Sequence, residues 1–568
     1  MMKKFIYLAL LGLMFSCSDH EVTRSIDIAD NVFGITFDKS HDWNTTVNSS
    51  VDVISNDSKT RILVVDSFSI KILNESTDSH ITFDVPKDYD NLMVDFISEN
   101  GEHFYKSFNL GDKVIKKENT TRALSQDYDI PDEKPILGGT VETFANQRGW
   151  LPGEEFYIYD YVTLDSKDYT DEFKTTFRSI IFNYFPNGRK YNNLPKIKKS
   201  GYYNESVYPI TTGDEPIIVS PVYKNDGGFY EISEAELYYY YFKGDLNVEE
   251  IEALPKYRAI DLSEVYTNED NDIINKSKSY VLAYWENNVG SYQFPKGYKI
   301  GFCYKSNTEY EKPKKQGELY GDGRLNYNIN SWGNFASSKL GPTEPRMAWM
   351  SVNKHMFLCI ESGTDTDFND LIIEVEGGIE PFEIIPDEPE YNFYTFCYED
   401  QRLGDYDMND VVLKGRRIDA THVEWTLMAC GAYDELYIRN INGEVINGDI
   451  EVHDLFERPK ATFINTTEDD NAKFIVDVVE VNKNYSFLDA STQPYIWDAT
   501  KHWEVKIARQ GEDPHAIMIP YDFKWPLERI RINLAYLRFN EWGTNKVEST
   551  DWYKYPENDK VFIPYDKE

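Results

Sequence analysis

A loop that occurs twice constrains this chain more than any other feature of its sequence. The first copy runs Phe357-Leu358-Cys359-Ile360-Glu361-Ser362-Gly363-Thr364-Asp365-Thr366-Asp367-Phe368-Asn369-Asp370-Leu371-Ile372. The second runs Phe396-Cys397-Tyr398-Glu399-Asp400-Gln401-Arg402-Leu403-Gly404-Asp405-Tyr406-Asp407-Met408-Asn409-Asp410-Val411-Val412. Each passes from an apolar, cysteine-containing strand through a Glu into Asp-x-Asp-x-Asn-Asp and then into a second apolar strand. Short acidic and amide side chains at this density need a cation among them, because packed carboxylates repel. The pattern points to a metal-stabilised binding or structural protein.

The chemistry is that of calcium, which takes about six to eight oxygen ligands from carboxylates, amides and backbone carbonyls. Asp365, Asp367 and Asn369 stand two apart, as do Asp405, Asp407 and Asn409. A tight loop brings three such oxygens together and turns Phe368 or Met408 toward the core. Asp370 and Asp410 add a ligand or fix the loop by accepting backbone N–H groups. Glu361 and Glu399, at the ends of the preceding strands, complete each shell. An EF-hand is not expected, although Glu376 stands at the twelfth position counted from Asp365, where Arg416 stands in the second copy. The sixth position of an EF-hand requires Gly, where these loops carry Asp370 and Asp410, and strands rather than helices flank both copies. The plainer alternative, an Asx-turn cluster, accounts for one Asp-rich turn more easily than for two in matching context.

The first residues read as a lipoprotein signal. Met1-Met2-Lys3-Lys4 is a basic start, Phe5 to Phe15 an apolar stretch too short to span a bilayer, and Met14-Phe15-Ser16-Cys17 resembles a bacterial lipobox. Cys17 is the expected lipidation site, which makes outer-membrane lipid the expected partner. Ser18-Asp19-His20-Glu21 resembles a surface-export signal, so the expected location is the outer membrane, facing the cell surface.

Charge excludes one class of partner. With 59 Lys+Arg against 97 Asp+Glu the chain carries −38, the wrong sign for a phosphate backbone, so nucleic acid is not expected. Aromatics make up 15% of the residues, which disfavours disorder and is compatible with β packing or with stacking surfaces for sugars. Of the five cysteines, Cys303, Cys359, Cys397 and Cys430 remain once Cys17 is lipidated. They allow three pairings, and the sequence does not choose among these or between disulfides and buried thiols.

Organisation follows from strand-like runs separated by turn residues. The expected fold is mainly β, a multidomain chain of β-sandwich or jelly-roll-like domains. After the signal peptide (1–17) come a small β-sandwich (18–118), a linker (119–136), a β-rich domain (137–380) ending in the first acidic loop, and a β domain (388–568) opened by the second. Leu237-Tyr238-Tyr239-Tyr240-Tyr241-Phe242 reads as a strand, either an aromatic platform or a doubly buried one. Short helices are expected at Glu249–Leu254 and Asp261–Tyr266.

These residues resemble the LruC-domain lipoproteins of Bacteroides-type bacteria. Ile300 to Gly378 looks like the domain of unknown function that precedes the LruC domain, and residues 391–565 look like the LruC domain itself. The matching pieces are Gly404 to Val412, Ala429-Cys430-Gly431-Ala432, Glu451-Val452-His453-Asp454-Leu455-Phe456, His515 to Pro520, Trp525-Pro526-Leu527-Glu528-Arg529 and Trp552-Tyr553. Met408 stands where the family more often has Phe. The resemblance implies a mostly β surface or outer-membrane lipoprotein and supplies no established activity.

No Gly-x-Ser-x-Gly, His-Glu-x-x-His or phosphate-cradling Gly/Lys loop occurs, and His453 and His515 sit among packing residues. The expected function is therefore non-catalytic. The chain reads as a calcium-stabilised, lipid-anchored surface protein for adhesion or extracellular ligand binding, with a glycan or a protein as partner. The alternative is a glycan-binding accessory protein of polysaccharide uptake. A weaker one is a glycan-degrading enzyme, since two carboxylates suffice for that chemistry.

Overall fold

The computed structural model describes residues 26–65, 70–89, 91–117, 128–141, 156–159, 162–167, 169–185, 208–224, 235–265, 272–273, 277–306, 317–326, 344–362, 367–380, 388–440, 449–467, 470, 472–544 and 549–563. Cys17 and the rest of the expected signal lie outside them, as does Asp365. The chain is mainly β and multidomain, built from pairs of packed sheets with few helices.

The first pair sets His80–Pro86, Thr46–Ile54 and Val114–Lys116 against a sheet ordered Glu390–Tyr391, Ile70–Ser76, Lys59–Val65, Asn91–Ile97, His103–Asn109. Side chains alternate faces along a strand. Ile62 and Val64 therefore enter the core of this sandwich, while Leu63 and Val65 enter the large core of the middle region. Covering both faces explains why such strands read as near-continuous apolar runs. Glu390–Tyr391, from the stretch before the second acidic loop, pairs in parallel with this amino-terminal sheet, so the chain returns to its first domain before starting its last.

The middle region packs a sheet containing Ile218–Lys224, Leu371–Glu376, His355–Ile360 and Met347–Val352 against one containing Gly317–Tyr320, Lys299–Ser306, Ala235–Phe242 and Lys256–Asp261. The helix Asp171–Tyr184, capped by the Thr170 side chain on the Phe173 N–H, covers it. Helical turns at Val248–Glu252 and Leu262–Val265 fall where short helices were expected.

The last pair sets Phe474–Glu480, His422–Ala429, Val411–Arg417, Phe393–Tyr398 and Ala516–Pro520 against Leu436–Asn440, Pro494–Asp498 and Trp503–Val505. Its second face is covered by the irregular segment 523–562 and by the helix Ile26–Phe33 from the other end of the chain. Ala29, Phe33, Phe37 and Trp43 thus belong to the carboxy-terminal core rather than to the amino-terminal sandwich that follows them in sequence.

Candidate metal centre

Among the described residues the two acidic loops share one set of bonds, although the second is two residues longer, from Glu399 to Asp405 against Glu361 to Asp365. Each joins a tightly paired antiparallel hairpin, closed by Ile360 opposite Leu371 in one and Tyr398 opposite Val411 in the other. In the first, Asp370 Oδ2 accepts the Ser362 N–H at 2.6 Å; in the second, Asp410 Oδ2 accepts the Asp400 N–H at 2.6 Å. Asp367 Oδ1 accepts the Asn369 N–H and Asp407 Oδ1 the Asn409 N–H, both at 3.3 Å. The amide of Asn369 donates to the Phe185 carbonyl at 2.7 Å and that of Asn409 to the Pro526 carbonyl at 3.0 Å. Asp370 and Asp410 therefore brace the loop mouths.

Phe368 and Met408 have φ of 57° and 59°. A left-handed conformation at a bulky residue costs on the order of 1–3 kcal/mol. It persists because both side chains are fully buried, Phe368 in the middle core and Met408 in the carboxy-terminal one. The flanking Asp367, Asn369, Asp407 and Asn409 are buried as well.

The second loop lies wholly within the described residues, and its electrostatics are those of crowded carboxylates. Glu399, Asp405 and Asp407 each offer an oxygen, all within 4.8 Å of one another. Burial pushes the Asp407 carboxyl up to about 8, and the charge of Asp405 pushes in the same direction. Glu399 is driven well above the usual carboxylate range by burial first and then by Asp407, Asp405 and Asp400. Asp410 is raised by burial and by Glu399. Without a cation these groups favour their protonated forms; a bound divalent ion reverses that preference. Every donor is oxygen, which suits calcium rather than a softer metal.

A neighbouring acidic group already holds a cation of the chain's own. Lys501 Nζ lies 3.3 Å from Asp400 Oδ1 and 3.5 Å from Asp498 Oδ2, and also pairs with Asp434. At the first loop, Glu361, Asp367, Asn369 and Asp370 are all buried, and the fully buried Arg346 accepts the Glu361 N–H on its carbonyl at 2.9 Å. Glu376, at the twelfth position of a would-be EF-hand, instead lies within a strand and accepts from the Tyr128 hydroxyl at 2.9 Å.

Sequence reasoning missed Glu528. Its Oε2 is buried without a hydrogen-bond partner, and its carboxyl is raised to about 7 by burial first and then by Asp405. It was visible only as part of Trp525-Pro526-Leu527-Glu528-Arg529, with nothing local to connect it to Asp405.

Residues 508–553 match the family model of a domain of unknown function, DUF4842. The DUF4842 segment carries the strand Ala516–Pro520 at the sheet edge, Glu528, and the short helices that cover the core. No curated protein matches the chain. Among solved structures, it is similar to the crystal structure of a candidate lipoprotein from Bacteroides ovatus, at 10% identity and a TM-score of 0.22, covering 47% of this chain and 90% of that one. A score of that size does not establish a shared fold.

The four described cysteines are buried and form no disulfide with one another. Cys430 Sγ stands 3.4 Å from His453 Nε2, and His453 Nδ1 stands 2.8 Å from Glu451 Oε1. This has the connectivity of a nucleophile, base and orienting acid. All three are buried, however, and burial pushes the thiol up rather than down, so the row is packing, not a reactive centre. His515 is held down at about 4, mainly by burial, between Tyr406 and Trp503. Tyr238, Tyr239 and Tyr240 are also completely buried, so the tyrosine strand is a doubly covered one and not a sugar platform. Among the described residues no helix is long and apolar enough to cross a membrane.

Proposed function

We propose that this chain is a non-catalytic surface lipoprotein of the LruC type, anchored to the outer membrane through lipidated Cys17. In this reading its two acidic loops bind calcium and hold its β domains rigid for adhesion or ligand capture outside the cell. The observation that supports the calcium reading is the second loop, which brings the carboxylates of Glu399, Asp405 and Asp407 together, while the first repeats its strained residue and its bracing bonds. The anchor rests on the signal-like start of the sequence.

The test is thermal unfolding of the full-length lipidated protein in detergent, in EDTA and in millimolar calcium. At calcium about tenfold above its dissociation constant, each site adds on the order of 1.4 kcal/mol if the unfolded chain does not bind. The expected result is a rise in melting temperature that shrinks in Asp367→Ala and again in Asp407→Ala. Coincident melts in EDTA and calcium would reduce both loops to turns.

A further inference from the structure

We propose that Glu528 is a ligand of the second-loop cation, so that the ion staples the DUF4842 segment to the Phe393–Tyr398/Val411–Arg417 hairpin. This rests on the calcium reading of that loop and goes past it by joining two parts of the chain more than a hundred residues apart.

Three oxygens with no hydrogen-bond partner mark the place: Glu399 Oε2, Asn409 Oδ1 and Glu528 Oε2. Glu399 is 1% exposed and Asn409 0%, so neither oxygen is satisfied by bulk water. Buried acceptors left unmet cost about 1–3 kcal/mol each, more when charged. Asn409 Oδ1 and Glu528 Oε2 stand side by side, and Glu399 belongs to the neighbouring Glu399–Asp405–Asp407 group; a hard cation drawn between them would satisfy all three, with the Glu528 side chain closing in on the ion.

Glycines keep the space open. A Cβ on Gly431 would collide with Asn409 Oδ1 and stand 3.1 Å from Glu528 Oε2, so these two oxygens flank the same point. A Cβ on Gly404 would collide with Glu399 Oε1.

Backbone bonds fix Glu528 there. The Arg529 N–H donates to Asp407 Oδ2 at 2.6 Å, the Glu528 N–H to the Thr466 carbonyl at 3.0 Å, and the Asn409 amide to the Pro526 carbonyl at 3.0 Å. The nearest counter-charge on this stretch, Arg529, reaches only 3.8 Å from Glu528 Oε1 with its side chain 69% exposed, which is too weak a pair to neutralise the group. Asp400 has Lys501 beside it, whereas the only ion pair Glu528 makes among the described residues is the loose one with Arg529.

The decisive comparison is calcium titration, and melting in EDTA and in calcium, of the full-length protein and its Asp407→Ala, Glu528→Gln and Glu528→Asp variants. Asp407→Ala identifies the second-loop site by the stoichiometry it removes. Glu528→Gln should weaken that site by about tenfold or more, and Glu528→Asp, which keeps the charge but shortens the reach, should weaken it too. In EDTA, Glu528→Gln should melt no lower than the parent, because it removes a repelling carboxyl. A merely structural glutamate would lower the melt equally in both conditions. Calcium binding that survives Glu528→Gln and Glu528→Asp at parental affinity overturns the staple and leaves the calcium reading standing. A parent protein that binds no calcium overturns both.

Discussion

At the scale of single residues, His41 shows what burial does to a titratable group. Its ring sits edge-on between Trp43 and Trp542, at centroid distances of 4.5 and 4.6 Å, and its Nε2 is buried without a partner. Burial holds its pKa down at about 4, against an opposing pull from Asp42. The unfolded chain, at the ordinary value near 6.5, binds the proton more readily. Stability should therefore be fully present above pH 6.5 and fall as pH drops toward 4, by on the order of 1–3 kcal/mol. Denaturant unfolding at pH 7 and pH 5 checks this. The pH-dependent difference between parent and His41→Gln should have this sign, and equal pH slopes for the two would refute it.

At the scale of elements, the strand Ala235–Phe242 divides its tyrosines between two cores, Tyr239 in one and Tyr238 and Tyr240 in another. The alternation follows from strand geometry, but the use made of the hydroxyls does not. Tyr239 donates to the Ala283 carbonyl at 2.5 Å and accepts the Ala283 N–H at 3.0 Å; Tyr241 does the same with Trp285 at 2.9 and 2.8 Å. Two side chains thus stand in for a neighbouring strand along residues 283–285. Tyr239→Phe should strand a buried N–H and carbonyl and cost about 1–3 kcal/mol. Tyr240→Phe should cost less, since the Tyr240 hydroxyl meets Tyr208 only at 3.4 Å. Chemical denaturation of the two variants ranks them, and the reverse order would contradict the ladder.

At the scale of the whole molecule, residues 33–43 are joined to residues 512–542. Phe33 and Trp43 lie in one aromatic cluster with Phe539 and Trp542, and the Trp43 indole donates to the Glu512 carbonyl at 2.8 Å. Trp43→Ala should destabilise the carboxy-terminal domain by about 3–5 kcal/mol, the range for emptying a large buried aromatic site. Hydrogen exchange reads this by region. Protection should fall at Phe523–Trp552 and hold in Lys59–Ile97. The opposite pattern would place residues 26–45 with the amino-terminal sandwich. A second tie runs through Asp84, which accepts the Ser486 hydroxyl at 2.6 Å and the Phe487 N–H at 2.7 Å.

The sequence by itself determined what is periodic or repeated: the strands, the mainly β class, and two acidic loops whose matching spacing carries the same backbone bonds and the same strained residue in both copies. These are local properties, set by alternation along a strand and by side chains reaching one to ten residues away. It could not determine which acids end beside a lysine and which do not, because Lys501 and Glu528 reach the second loop only through the packing of the carboxy-terminal sheets. Nor could it assign the helix Ile26–Phe33 to the far end of the chain, since an apolar helix face carries no address for its partner. Tertiary structure decided these points, because the burial that satisfies a hydrophobic stripe or shifts a carboxyl depends on surfaces brought together from distant parts of the sequence.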